Sequence, residues 1–129
     1  MEIRNRNFLQ PEYFAALARH GVAHVFNSWT DMPSVAEQIE LPSAFTNPGL
    51  CAARFLLKPG RKYEDAVKRF SPYEKLQEPS PEGRAAGVKV IKHARNSNPP
   101  TRAFIYPNNR FEGSALASLL ALVEEAAEE

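Results

Sequence analysis

Four clusters of polar residues follow apolar runs in this sequence: Arg4-Asn5-Arg6, Asn27-Ser28-Trp29, Lys58 with Arg61, and Asn108-Asn109-Arg110. Guanidinium, ammonium and amide donors in that company combine charge complementarity with directional hydrogen bonds. That chemistry suits a phosphate, a carboxylate or a polyhydroxy compound. The same residues also suit plain loops, because Asn tolerates turn conformations and loops are polar in any protein. Trp29, the single tryptophan, stands just past an apolar run, where it could serve as a stacking platform or as packing.

Glu2, Arg4 and Arg54 lie within the apolar runs, and a charge inside a buried strand is costly unless it is paired. Period-two alternation puts Glu2 and Arg4 on one face, from which they could meet Arg54 across a barrel interior. A carboxylate between two guanidiniums suits binding or orientation better than proton abstraction. An internal ion-pair network that fixes strand register is the alternative.

Other chemistries find little support. His20, His24 and His93 share no metal-ligand spacing with one another or with a carboxylate cluster, so no metal site is expected. Cys51, the single cysteine, excludes an internal disulfide framework and reads as a small buried hydrophobe. There is no Gly-rich phosphate loop, no Gly-x-Ser-x-Gly elbow and no paired His-Glu motif, and no cofactor is expected. With 16 Lys+Arg against 15 Asp+Glu, no field of one sign points to nucleic acid or to an anionic membrane. The longest apolar stretch, Ala115 to Val123, is far shorter than the ~20 residues of a membrane span. A cytoplasmic setting is expected.

The elements that must position these residues follow from periodicity and breakers. Helices are predicted from Pro11 to His20, Ser34 to Glu40, Tyr63 to Phe70, Glu82 to Arg95 and Ser114 to Glu125. In the last, Leu116, Leu119, Leu120 and Val123 form one apolar stripe. Strands buried on both faces are predicted at Val22 to Phe26, Cys51 to Leu57 and Ala103 to Tyr106, with Glu2-Ile3-Arg4 as a short first strand. Alternation of such strands with helices argues an α/β fold with a parallel sheet, either doubly wound or a barrel. In both, ligands sit beyond the carboxyl ends of the strands, where the polar clusters stand.

Two stretches carry a resemblance. Leu57-Lys58-Pro59-Gly60-Arg61-Lys62-Tyr63-Glu64-Asp65-Ala66 is followed by Phe70-Ser71-Pro72-Tyr73, and Asn108-Asn109-Arg110-Phe111-Glu112-Gly113-Ser114-Ala115 comes later. With Glu2-Ile3-Arg4-Asn5 and Trp29-Thr30-Asp31-Met32-Pro33, they make the chain similar to the YecE-like family, also called domain of unknown function 72. Two positions depart from the family pattern: Leu116 stands where a proline is usual, and Pro107 where a β-branched residue is usual.

The resemblance implies a (β/α)8 TIM-type barrel. Residues 1–129 would form a single partial domain, the C-terminal half, with about four parallel strands and covering helices. It also implies that Glu2, Arg4, Arg54, Arg61, Tyr63, Asn108 and Asn109 line the mouth or interior of that barrel. Asn27 and Trp29 join them as candidate ligand-binding residues from their place at a strand end. The expected partner is a small anionic or polyhydroxy ligand, with no reaction assigned. The alternative is a non-catalytic fragment or assembly module that needs a separate N-terminal half-barrel chain or self-association.

Overall fold

The computed structural model describes residues 1–128. After a single 3-10 turn at Arg6–Phe8, the elements run α1 (Pro11–Arg19), β1 (Val25–Asn27), α2 (Val35–Ile39), β2 (Leu50–Phe55), α3 (Tyr63–Phe70), α4 (Pro81–Asn96), β3 (Arg102–Pro107), α5 (Asn109–Glu112) and α6 (Ala115–Glu128). The three strands form one parallel sheet in the order β1-β2-β3, with Asn27 opposite Arg54 and Arg54 opposite Tyr106. Every connection passes through helix, as parallel pairing demands.

The expected first strand is an extended edge segment. The Met1 amino group donates to Ala23 O at 2.8 Å and the Val25 N–H to Met1 O at 2.9 Å, a single parallel-type pairing step. Beyond it the Asn27 side chain takes over, donating to Ile3 O at 2.8 Å. Residues 1–3 therefore flank β1 as a fourth member of the sheet without completing a ladder.

At the opposite edge, Arg102 and Asn108 donate their N–H groups toward β2. By alternation, Ala103, Ile105 and Pro107 turn theirs outward. Pro107 has no N–H to offer, so only two donors remain on that free edge.

Burial is one-sided. Cys51, Ala53 and Phe55 of β2 are buried under α1, α2 and α4 together with Phe14, Phe26, Val35, Ala86 and Val90, whereas Ala52 and Arg54 on the other face are only half-buried. The prediction of strands buried on both faces is corrected here, since no described element covers the second face. The stripe on α6 faces outward. Leu116 (82% exposed), Leu119, Leu120 and Val123 face solvent, while Ser118, Leu122 and Ala126 pack on α4. Small residues decide this orientation: Gly87 lets Leu122 approach so closely that a Cβ there would lie 2.7 Å from its Cδ1.

Two helix starts are capped by their own side chains. Ser34 and Glu37 form a reciprocal capping box on α2, and Ser80 caps α4 ahead of Pro81. His24, read as a polar interruption within a strand, is buried just before β1 among Tyr13, Phe14 and Phe26. The Gln38 amide nitrogen donates to Asn27 O and Pro33 O, which leaves its oxygen to accept from His24 Nε2 at 3.2 Å. Nδ1 then accepts from the Tyr13 hydroxyl at 2.9 Å.

Burial disfavours the imidazolium and lowers the His24 pKa to about 4, while the same desolvation raises Tyr13 to about 12. Because the folded-state value lies below the ordinary 6.5, this histidine's contribution is complete above pH 6.5 and is lost as pH falls toward 4. Urea unfolding across that window should show stability falling by up to about 1.4 kcal/mol per pH unit more in the wild type than in His24→Leu.

Candidate functional site

The carboxyl ends of β1, β2 and β3, with the edge segment beside β1, bring five of the nine expected site residues together. Arg4, Trp29, Arg54, Tyr63 and Asn108 line a recess of about 200 Å³, floored by Leu56 and Leu57 and closed on one side by Arg110. Arg4 lies 4.1 Å from the centre of the Trp29 ring. Arg110 lies 4.5 Å from the Tyr63 ring and 6.0 Å from Tyr73. Stacking on aromatic faces orients the two guanidiniums at the recess. Glu2 accepts from Arg4 Nε at 3.4 Å and from Arg54 Nη1, the three-charge meeting that strand alternation predicts.

Three expected residues serve the framework. Asn27 is fully buried, holding Ile3 O with its nitrogen and accepting the Trp29 N–H at 3.2 Å. Asn109 accepts the Ala115 N–H at 2.8 Å and so caps α6. Arg61 is outside the recess lining: its Nη1 lies 2.8 Å from Glu78 Oε2, and its guanidinium stacks on Phe70. Lys58 donates to the other Glu78 oxygen at 2.9 Å, and Arg69 approaches at 3.0 Å. One carboxylate thus gathers three cations, two of which, Lys58 and Arg61, the sequence presents as ligand donors.

Arg110 completes the recess in their place. Asn108 Oδ1 accepts its backbone N–H at 3.0 Å and its Nη1 at 3.2 Å, and no carboxylate among the described residues pairs with it. Its Nε is buried with no acceptor. The sequence signal existed in the Asn108-Asn109-Arg110 cluster; what it lacked was the knowledge that Glu78 neutralises the competing cations and leaves this one unpaired.

The turn that carries Arg110 is fixed by a buried acid. Glu112 is 1% exposed, and its carboxylate accepts the Ser80 N–H at 2.6 Å and Arg84 Nε at 3.1 Å. Its carbonyl accepts the N–H groups of Gln77 and Glu78. Gly113 follows with φ +118°, and a Cβ there would lie 2.6 Å from Lys75 O, so only glycine lets the chain segment around Lys75 and Gln77 dock. Among the described residues, no group of three or more His, Cys, Asp or Glu could hold a metal ion, and no helix is long and apolar enough to cross a membrane.

No family model matches the sequence, and no curated protein matches it. A solved structure does: a DUF72 family protein from Enterococcus faecalis superposes with a TM-score of 0.59 at 16% identity, over 98% of this chain and 46% of its own. This chain therefore spans about half the length of that structure's chain.

Two measurements test the framework. Glu112→Ala strands Arg84 Nε and the Ser80 N–H, and should cost about 3–5 kcal/mol in chemical denaturation. The cations around Glu78, Arg61 first and then Lys58, lower its pKa to about 2. The stability it lends is present above pH 4.5 and lost as pH falls toward 2. Glu78→Gln should remove that loss, giving a flatter melting temperature below pH 4.5 than the wild type. What the structures share is the fold, and this chain is built like about half of a DUF72 family protein, the YecE-like family that its motifs resemble.

Proposed function

We propose that the chain is a cytoplasmic YecE-like protein, the C-terminal half of a (β/α)8 barrel, and that it binds a small anionic or polyhydroxy ligand in the recess at the strand ends. The observation that carries the reading is the charge balance of that recess. Arg4, Arg54 and Arg110 face it; among the described residues, Glu2 is the one carboxylate paired with Arg4 and Arg54, and none pairs with Arg110. A guanidinium left without a carboxylate partner is matched in charge and hydrogen-bond geometry by a carboxylate or phosphate oxygen. Trp29 and Tyr63 add flat apolar faces for a ring or for the C–H face of a sugar. The order of the sheet, with both edges open, and the 46% coverage of the Enterococcus faecalis chain support the half-barrel reading.

No reaction is assigned. Glu2 is engaged by two guanidiniums, and among the described residues no carboxylate or histidine lines the recess itself, which favours binding over proton transfer.

Calorimetric titration of the chain with inorganic phosphate, citrate, glucose and glucose 6-phosphate tests the proposal. The anions should bind, with glucose 6-phosphate tighter than glucose. Arg110→Met should weaken them about tenfold or more, whereas Arg61→Met, outside the recess, should leave binding intact. Absence of heat with every compound, or an Arg110→Met titration identical to wild type, would overturn the reading.

A further inference from the structure

Exposed apolar side chains are not scattered over this molecule. Of the nine large hydrophobic residues that face solvent among the described residues, Leu50 opens β2 and Tyr63 opens α3, and the other seven lie at the two edges: Met1 belongs to the first edge and Phe8 to the turn that joins it to α1. Tyr106, Leu116, Leu119, Leu120 and Val123 belong to β3 and α6 at the last edge. The α6 residues form the face turned away from α4, where a further strand-helix unit of a parallel fold would pack. Beside them, the outward N–H groups of Ala103 and Ile105 carry no hydrogen bond among the described residues.

The charges of the two edges are complementary. The C-terminal turns of α6 carry Glu124, Glu125 and Glu128 with no basic residue in the last turn. Within the chain Arg84 lies 3.5 Å from Glu125 and Arg95 donates to Ala126 O, while no ion pair of Glu124 or Glu128 is seen among the described residues, so acids at that end still oppose the helix dipole. α1 ends in Arg19 and then His20, both exposed and both outside every ion pair among the described residues. Helices that return along parallel strands end at the amino ends of those strands, so the acidic end of one and the basic end of the other lie at the same level of the sheet.

We infer that two copies of this chain pair, the β3–α6 edge of each against the residue 1–3 and α1 edge of the other, about a two-fold axis along the strands. The arrangement rests on the half-barrel reading. It joins two open sheets into one ring with no free edge. Each of its two contacts is heterologous, and the pair closes only when the rotation between copies is half a turn.

Light scattering during size-exclusion chromatography provides the test, because the altered residues are exposed and tolerate charge without disturbing the core. The wild type should have the mass of a dimer. Leu120→Glu on one edge and Phe8→Glu on the other should each weaken dimerisation at least tenfold while keeping the wild-type circular dichroism. An equimolar mixture of the two variants should recover dimer, since one of its two contacts is then wild-type on both sides.

Failure of recovery on mixing, a dimer insensitive to both substitutions, or open-ended oligomers in place of a dimer would overturn the pairing. A monomeric wild type would overturn it too, and adding the separately expressed N-terminal half of a DUF72 family protein then separates two cases. A one-to-one complex leaves the half-barrel reading standing, whereas no complex removes both.

Discussion

A single buried carboxylate holds the carboxyl end of this sheet together. Glu112 sits where water cannot solvate it, so its charge must be met by the Ser80 N–H and by Arg84. Meeting it docks the start of α4 against the turn after β3, and the Glu112 carbonyl draws in the segment at Gln77 and Glu78. Glu78 is thereby delivered to Lys58, Arg61 and Arg69, which ties the loop after β2 and the end of α3 to the same anchor. With those cations occupied, Arg110, two residues from the anchor, is left facing the recess with its charge uncompensated.

The motifs that suggest a family therefore divide into two kinds of residue. Gly113, Glu112 and Asn109 build the turn, and Arg61 and Lys58 are held by Glu78. Tyr63, Asn108 and Arg110 present themselves to the recess. The paired Asn108 and Asn109 illustrate the division, since one steadies Arg110 while its neighbour caps a helix. Both roles need an amide oxygen within reach of a backbone N–H, so residue type alone does not separate them.

Local signals were legible in the sequence where they are governed by local physics. α3 spans Tyr63–Phe70 as its spacing and the following Ser71-Pro72 predict, and α2 begins at the capping box of Ser34 and Glu37. The meeting of Glu2, Arg4 and Arg54 followed from side-chain alternation. The inward face of α6 did not, because apolar residues lie on more than one of its faces. The choice between them was made by Gly87, far away in sequence, which admits Leu122. Nor could spacing show that Glu78 would neutralise Lys58 and Arg61, an encounter across a turn whose path depends on Glu112. Burial on one face of the sheet was hidden for a related reason: a strand composed for two covered faces looks the same whether or not the second cover belongs to the same chain.

Pro107 gives the free edge of the sheet a property of its own. A strand that adds to β3 finds donors at Ala103 and Ile105 and then none, because the ring nitrogen of Pro107 carries no hydrogen. Pairing there is limited to a short stretch and to one register, too little to template the repeated addition of strands that builds fibres. An α/β sheet with an uncovered face and an open edge would ordinarily invite aggregation, and a single imino acid at its rim makes indiscriminate growth unproductive while leaving a specific, well-registered contact possible.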